Sequence, residues 1–288
     1  MQQLQNKTLP SLNVGINSRM IREVSNGPIF ADKVDLIEVG IGESGVLKQG
    51  TIDYKRLDEF TPLKNKFSIH GPYSQDYYGN QINLGIKSNR NFEVMEQVFK
   101  IASFLEAETI VLHGEKVECD YRDALLNVIA NFKQLSRMAA DYSLTLLIEN
   151  LPTELNIDKI GIIPHEILQV IESVNESNLK FCFDIGHGTL SANLYSFDVL
   201  EFVTKLSHYL HHMHIHDNQG ISEVVDKKFG DQHLPLGKGK VQYARIFQAI
   251  IKTKVKNTVL ELRPQDGRVE ALKSIAALRK LQGKKPSQ

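Results

Sequence analysis

Histidines recur at every second position in one short segment, about three-quarters of the way along the chain. His212, His214 and His216 alternate with Met213 and Ile215. Side chains alternate in this way on the two faces of a β-strand. Because imidazole is a common metal ligand, the segment predicts a strand that carries potential metal ligands on one face.

Metal-binding residue types also end, or soon follow, the other short apolar runs of the chain. Together with the histidine segment they supply nine side chains: His70, His113, Glu149, Asp184, His187, His214, Asp231, His233 and Glu261. Imidazole suits Zn, Mn, Fe or Co, whereas carboxylates suit harder divalent ions and can bridge two metals. These residues predict a metal site, provided that the fold brings the strand ends together.

Eight β-rich runs alternate with segments of helical periodicity. The predicted strands are 12–16, 34–41, 67–70, 109–113, 144–149, 179–184, the histidine segment within 211–218, and 258–261. The predicted helices are 18–24, 54–60, 92–105, 125–139, 164–174, 197–206, 241–251 and 269–281. Strict alternation of strand and helix predicts a parallel sheet. Several strands are continuous apolar runs, as expected when both faces of a sheet are buried.

Eight such units in 288 residues fit an α/β fold, a single closed (β/α)₈ TIM barrel. The alternative is an open doubly wound sheet, but residues 15–18 after the first strand lack the glycine-rich phosphate turn of that fold. We expect one domain over residues 1–288, with a frayed tail at about 282–288. In a barrel the carboxyl ends of all strands meet at one face, so the nine side chains should converge there.

Composition limits the classes of function. The chain has 34 Lys+Arg and 34 Asp+Glu, so its formal net charge is zero, which argues against a protein that mainly grips nucleic acid. Cys119 and Cys182 lie far apart without CxxC spacing and are expected to be free thiols in a reducing compartment. Residues 1–10 have no signal-peptide pattern, and no apolar run reaches the roughly 18 residues of a membrane span. We therefore expect a cytoplasmic protein without a membrane partner.

The residue types leave two chemistries open. Glu149 and Glu261, on the fifth and eighth predicted strands, can hold one ion and act as general bases on opposite faces of a substrate carbon. Alternatively, nine ligands are enough for two or three ions, which would activate water and stabilise a displacement at phosphorus.

Seven segments resemble one superfamily, the xylose isomerase-like TIM barrels. These are 70–73 (HGPY), 111–114 (VLHG), 148–150 (IEN), 183–187 (FDIGH), 213–217 (MHIHD), 231–239 (DQHLPLGKG) and 260–261 (LE). The superfamily includes endonuclease IV (AP endonuclease family 2), epimerases of the tagatose/psicose type and many sugar-phosphate isomerases. The resemblance covers residues 66–264 in order, and it implies a barrel enzyme with a divalent cation.

The resemblance to the epimerases implies one cation, Zn or Mn, at Glu149, Asp184, His214 and Glu261. It implies that the two glutamates exchange protons with the substrate and that His187 contacts substrate oxygens. We favour this hypothesis: a metal-dependent isomerase or epimerase whose partner is a small sugar or sugar phosphate.

The resemblance to endonuclease IV implies metal ligands at all nine positions, up to three zinc ions, and abasic-site DNA as substrate. The sequence departs from the nuclease at residues 184–187 (DIGH), which lack a Thr-Cys pair, and after the second strand, which lacks a cluster suited to wedging into DNA. DNA is therefore a partner only under this alternative. A non-catalytic binding protein is a third hypothesis, disfavoured because every ligand type is intact.

Four further features have functional and structural interpretations. Asp217 either fixes a histidine tautomer or caps a loop. Residues 237–240 (GKGK) either bind phosphate or form a plain turn. Tyr77 and Tyr78 either cover a sugar or simply pack. His212 precedes the carboxyl end of its strand and is expected not to be a ligand.

Overall fold

Eight parallel strands close into a ring in the computed structural model, which describes residues 12–283. Each barrel strand is paired with its neighbours in chain order, and the last strand pairs with the first. The predicted (β/α)₈ barrel is confirmed, and the open doubly wound sheet is excluded because Asn13 to Ile16 pair with Asn257 to Leu260.

The strands, in chain order, are β1 (Asn13–Asn17), β2 (Leu36–Gly40), β3 (Leu47–Lys48), β4 (Thr51–Ile52), β5 (Lys66–His70), β6 (Thr109–His113), β7 (Thr145–Glu149), β8 (Leu179–Asp184), β9 (Leu210–Ile215) and β10 (Asn257–Leu260). Strands β3 and β4 form a separate two-stranded hairpin, and the other eight form the barrel. The hairpin was not predicted, since two-residue strands carry no periodicity.

The α-helices are α1 (Ser18–Glu23), α2 (Ile41–Ser44), α3 (Tyr54–Leu57), α4 (Asn89–Phe104), α5 (Tyr121–Ala140), α6 (Pro164–Val174), α7 (Ile185–Tyr195), α8 (Leu200–Leu206), α9 (Tyr243–Ala249) and α10 (Gly267–Leu281). Short 3₁₀ turns occupy Gly27–Lys33, Asp58–Phe60, Ile250–Lys252 and Pro264–Asp266. Within residues 12–283, each helix is either too short or too polar to cross a membrane.

Helix α7 was missed from the sequence. Its segment contains Gly186 and Gly188, which weaken helical propensity. It is also buried around most of its circumference, and a helix buried on all sides lacks the one-sided apolar stripe by which a surface helix is recognised. The omission matters because His187 lies in the first turn of this helix.

The apolar core lies between the barrel and its helices. Phe181, Phe183 and Phe202 are fully buried there, with ring centroids of Phe183 and Phe202 5.2 Å apart. Burial of one such side chain contributes about 1.5–3 kcal/mol. A smaller cluster of Val111, Leu147 and Cys182 fills part of the barrel interior, which confirms Cys182 as a buried free thiol.

The other part of the barrel interior is polar. Asn13 Nδ2 donates to Asn257 Oδ1 at 2.7 Å, and Asn257 Nδ2 lies 3.4 Å from His212 Nδ1. His212 Nε2 lies 3.2 Å from Glu38 Oε2, which also accepts from Ser68 Oγ at 2.9 Å. We call these five residues the interior polar chain. It runs from the first and last strands to the region below the carboxyl ends of the barrel.

Beyond α10, Gln282 is buried and donates to Thr258 Oγ1 at 3.0 Å. The packed part of the chain therefore extends past the predicted start of the tail. Residues 1–11 and 284–288 lie outside the described residues. The predictions made for those terminal residues therefore stay predictions.

Candidate active site and metal centre

A cavity of about 420 Å³ opens at the carboxyl ends of the barrel strands. Seven of the nine predicted side chains line it: His70, His113, Glu149, His187, Asp231, His233 and Glu261. The remaining two, Asp184 and His214, are fully buried beside it. The structure therefore brings all nine to one place, as the barrel prediction required.

The first group, which we call the Glu149 cluster, consists of His70, Glu149, His214 and Glu261. One ligand atom from each lies within 4.8 Å of the others. Nδ1 of His214 lies 2.8 Å from Glu149 Oε1 and 3.1 Å from Glu261 Oε1. Glu149 Oε2 lies 3.4 Å from His70 Nε2 and 3.2 Å from His113 Nε2. Glu149, at the end of β7, is thus the centre of the group.

Electrostatics keep Glu149 ionised. Burial alone would raise the pKa of its carboxyl, but the His214, His113 and His70 rings outweigh burial and hold that pKa well below its ordinary value. Burial lowers the pKa of His70, yet contact with Glu149 raises it overall to about 9. Imidazolium charge on His70 thus stabilises the neighbouring Glu149 carboxylate.

Asp184 ends β8 and caps α7, because its Oδ1 accepts a hydrogen bond from His187 N at 2.6 Å. The amide of Asn150 fixes the strand end, donating to Asp184 O at 2.9 Å and accepting from Asp184 N at 2.8 Å. Asp184 lies within 4.8 Å of ligand atoms of Glu149 and His187. It therefore connects the Glu149 cluster with a second group of ligands.

This second group, the Asp231 cluster, contains His187, His216, Asp231 and His233. The three Nε2 atoms lie close to the Asp231 carboxylate, at 3.4 Å for His187, 3.4 Å for His216 and 2.8 Å for His233. His216 received no role from the sequence, although the alternation in β9 places it on the face of His214. A Cβ at position 186 would lie 2.1 Å from His216 Cε1, so Gly186 makes room for this ring.

Three residues near the site were missed by sequence reasoning. Glu38 of β2 lies 2.8 Å from His214 Nε2 through its Oε1. Tyr73 lines the cavity and packs on His113 with ring centroids 5.3 Å apart. Glu115 also lines the cavity, and burial raises the pKa of its carboxyl to about 7. The signal available for Glu38 and Glu115 was a lone acid within or just after an apolar strand.

The sequence profile of one family, described as the xylose isomerase-like TIM barrel, matches residues 35–281. The protein belongs to this family. Among curated proteins, an uncharacterized protein of Methanocaldococcus jannaschii is 29% identical over 222 residues, which cover 75% of this chain and 76% of that protein.

Two solved structures show the same fold. A D-tagatose 3-epimerase-like protein matches with a TM-score of 0.74 and 21% identity, over 94% of this chain and 97% of that chain. A D-psicose 3-epimerase, solved in the presence of D-fructose, matches with a TM-score of 0.69 and 15% identity, over 94% and 100% of the two chains.

In this member of the family, Asp217 closes a loop. Its carboxylate accepts from Gly237 N at 2.9 Å and from Val241 N at 3.2 Å. Lys240 N donates to Asn218 O at 2.8 Å, and the Lys238 ammonium lies 3.4 Å from Glu270. The structure thus favours the loop-cap interpretation of Asp217 and the plain-turn interpretation of residues 237–240, because these N–H groups are already bonded within the protein.

The paired tyrosines do not cover the cavity. Tyr77 is 79% exposed, and the lysine ammonium of Lys48 lies 6.0 Å from the Tyr78 ring centroid. The lining residues from this loop are Tyr73, Ser74 and Gln75 instead. The lid interpretation is therefore not supported by this conformation.

The donor set fits divalent cations. Among the described residues, several buried polar atoms at the mouth have no hydrogen-bond partner: Glu149 Oε2, Asp184 Oδ2, His187 Nε2, Asp231 Oδ1 and both ring nitrogens of His216. Buried polar atoms normally find partners, and an unmade bond costs about 1–3 kcal/mol. Imidazole and carboxylate donors at this spacing are the ligands of Zn and Mn.

Proposed function

We propose that this protein is a metal-dependent isomerase or epimerase of a small sugar or sugar phosphate. The observation that carries the proposal is the approach of two carboxylates from different strand ends, Glu149 and Glu261, to the same His214 nitrogen at 2.8 and 3.1 Å. They do so in a cavity of about 420 Å³, which is in the size range of small-molecule sites.

The comparisons support the substrate class. The family and fold are shared with proteins whose names are D-tagatose 3-epimerase-like protein and D-psicose 3-epimerase. We extend to this chain the chemical class that those names share, a reaction at a carbon of a small sugar.

The residues that would hold the catalytic cation are Glu149, Asp184, His214 and Glu261. A divalent cation bound there supplies a Lewis acid that polarises carbonyl and hydroxyl oxygens and offsets negative charge. His70, which lies within 4.8 Å of three of these ligands, is a further candidate that the epimerase resemblance did not include.

The glutamates would carry the protons. Glu149 is ionised because the surrounding imidazoles hold its pKa low, so it is ready to remove a proton from a carbon next to a carbonyl. Glu261 would return a proton, to the opposite face of that carbon for an epimerisation or to the neighbouring carbon for an isomerisation. His187 lines the same cavity, and its Nδ1 donates to Asn150 O at 2.9 Å, which directs Nε2 away from the backbone.

The test follows solvent deuterium. Protein loaded with Mn²⁺, Co²⁺ or Zn²⁺ is incubated in D₂O with ketoses, aldoses and their phosphates, and carbon-bound deuterium is measured by NMR. We expect incorporation with at least one sugar, and its loss in Glu149→Gln and Glu261→Gln. Glu172→Gln, an exposed carboxylate of α6, is the matched control. Metal-loaded protein that exchanges no carbon-bound hydrogen in any of these sugars would contradict the proposal.

The second candidate is an endonuclease IV-like phosphodiesterase acting on abasic DNA. It is favoured by one observation, the complete set of nine candidate ligands at one mouth, which includes three of the four residues of the Asp231 cluster. A nuclease should cleave an abasic duplex and bind it with steep salt dependence. With a formal net charge of zero, we expect neither cleavage nor binding at low salt.

A further inference from the structure

Glu38 is an acidic residue buried in an apolar strand. It lies in β2 between Ile37 and Val39, and only 2% of its surface is exposed. A buried carboxylate is costly unless it is paired with positive charge or with hydrogen-bond donors. Its presence below the Glu149 cluster therefore calls for a partner there.

Three donors face this carboxylate. Ser68 Oγ donates to Oε2 at 2.9 Å, and His212 Nε2 lies 3.2 Å from the same oxygen. His214 Nε2 lies 2.8 Å from Oε1. Ser68 is a hydrogen-bond donor, and the two imidazole nitrogens are close approaches. Because a carboxylate can only accept, either ring can hydrogen-bond to Glu38 only through a hydrogen on Nε2.

The interior polar chain also indicates which nitrogen of His212 carries the hydrogen. Asn13 donates to Asn257 Oδ1, so the amide NH₂ of Asn257 points to His212 Nδ1 at 3.4 Å. That nitrogen is then the acceptor of the ring, and the hydrogen of a neutral His212 lies on Nε2, facing Glu38.

The two nitrogens of His214 face opposite ways. Nε2 faces Glu38, whereas Nδ1 faces Glu149 and Glu261. In a neutral imidazole one nitrogen carries the hydrogen and the other offers a lone pair. A hydrogen on Nε2, which lies 2.8 Å from Glu38 Oε1, leaves Nδ1 free to exchange its hydrogen bond with Glu149 Oε1 for a bond to a cation.

We infer that Glu38 is the positioning residue of the cation site: it sets the orientation and tautomer of His214 so that Nδ1 binds the metal. The inference rests on the cation site of the proposed function but not on its substrate. Glu38 also lines the cavity, and it positions the ligand through its contact with His214, whose Nε2 lies 2.8 Å from Oε1.

The test measures metal binding without substrate. Metal-depleted protein is titrated with Co²⁺, and affinity is followed by the visible absorption of the bound ion. We expect Glu38→Gln to weaken Co²⁺ binding by about 10–100-fold. Glu38→Asp keeps the charge and should recover part of the loss. Glu172→Gln makes the same chemical change at an exposed position of α6, so it is the matched control and should bind Co²⁺ like the wild type.

A second measurement uses the wild type alone, so it decides the question even if Glu38→Gln does not fold. Nitrogen-15 NMR of the zinc-loaded protein should show His214 protonated at Nε2 and metal-bound at Nδ1. Unchanged Co²⁺ affinity in a folded Glu38→Gln protein, or a hydrogen on Nδ1 of zinc-loaded His214, would overturn the inference. Failure of every sugar assay with these two results intact would reject the proposed reaction and leave the role of Glu38 standing.

Discussion

The imidazole of His216 lies nearly parallel to that of His233, with ring centroids 4.0 Å apart and planes inclined by 18°. Both rings direct Nε2 to the Asp231 carboxylate, and His187 approaches it from α7. Backbone carbonyls face Nδ1 of His187 and of His233, at 2.9 and 3.1 Å. Since a carbonyl only accepts, Nδ1 of each of these two rings carries a hydrogen, and Nε2 is the nitrogen left to bind a cation beside the Asp231 carboxylate.

We therefore predict a second divalent cation at the Asp231 cluster. Replacing His216 with Ala should lower the metal content by one ion per chain, because three imidazoles and one carboxylate match a four-ligand zinc site. Elemental mass spectrometry of protein purified without chelators or a histidine tag measures the count. His211→Ala, on the same strand but outside both clusters, should keep the wild-type count. An unchanged count in His216→Ala would reject the second site, whereas its confirmation would strengthen the nuclease alternative.

Glu261→Gln should lose activity without losing the fold. The Glu261 side chain is 13% exposed at the barrel mouth, outside the apolar core, so its replacement leaves packing intact. Removal of a proton-transfer group costs about 10²–10⁴-fold in rate. Initial rates of deuterium incorporation and thermal melting of the same samples measure the two effects. Wild-type turnover in this variant would remove Glu261 from the mechanism.

Stability should fall in mild acid because of His211. Burial, reinforced by the neighbouring Lys256, His212 and Lys180, lowers the pKa of His211 from 6.5 to about 4. The unfolded chain binds the proton more readily, so this contribution is fully present above pH 6.5 and is lost as the pH falls to about 4. Because the side chain is partly exposed, we expect about 2 kcal/mol.

The comparison is His211→Gln against wild type, both metal-free, by urea unfolding between pH 4 and pH 8. The difference in unfolding free energy between the two proteins should change across this window and be constant above it. Parallel curves over the whole range would show that His211 does not titrate differently in the two states.

Asp217→Ala should destabilise the loop between β9 and α9. Asp217 is 1% exposed and accepts from the backbone of Gly237 and Val241. Loss of the carboxylate leaves these N–H groups unpaired, which costs about 2–4 kcal/mol for bonds to a charged acceptor. Thermal melting measures the effect. Lys238→Ala, which removes only an exposed ion pair with Glu270, should change stability by less than about 0.5 kcal/mol.

The sequence predicted the fold well where one strand or helix has a self-contained pattern. Strands 109–113 and 179–184 and helix 164–174 have the predicted bounds, because each apolar run is flanked by polar or turn residues. The nine side chains at the cavity followed from the rule that parallel strands share one carboxyl face. Helix α7 escaped because its burial on most sides erases the one-sided stripe.

The contacts that were missed join distant parts of the chain. Glu38 meets His212 and His214 across the barrel, more than 170 residues away in sequence, and local periodicity contains no information about such a pair. His216 meets Asp231 only because of the path of the loop that follows β9. Both contacts exist only in the folded barrel. The alternation of residues in the sequence predicts at most which face of a strand a side chain occupies.

The interior polar chain has a consequence for assembly. Asn13 belongs to the first strand and Asn257 to the last, and their hydrogen bond lies across the seam where the two strands meet. Through His212 that bond is linked to Glu38, beneath the ligand His214. During synthesis the last strand emerges from the ribosome only after nearly all of the ligands. The ligands are therefore correctly oriented only after the seam has closed. A nascent chain would bind the ion as its last step, and tight metal binding would indicate that the barrel is complete.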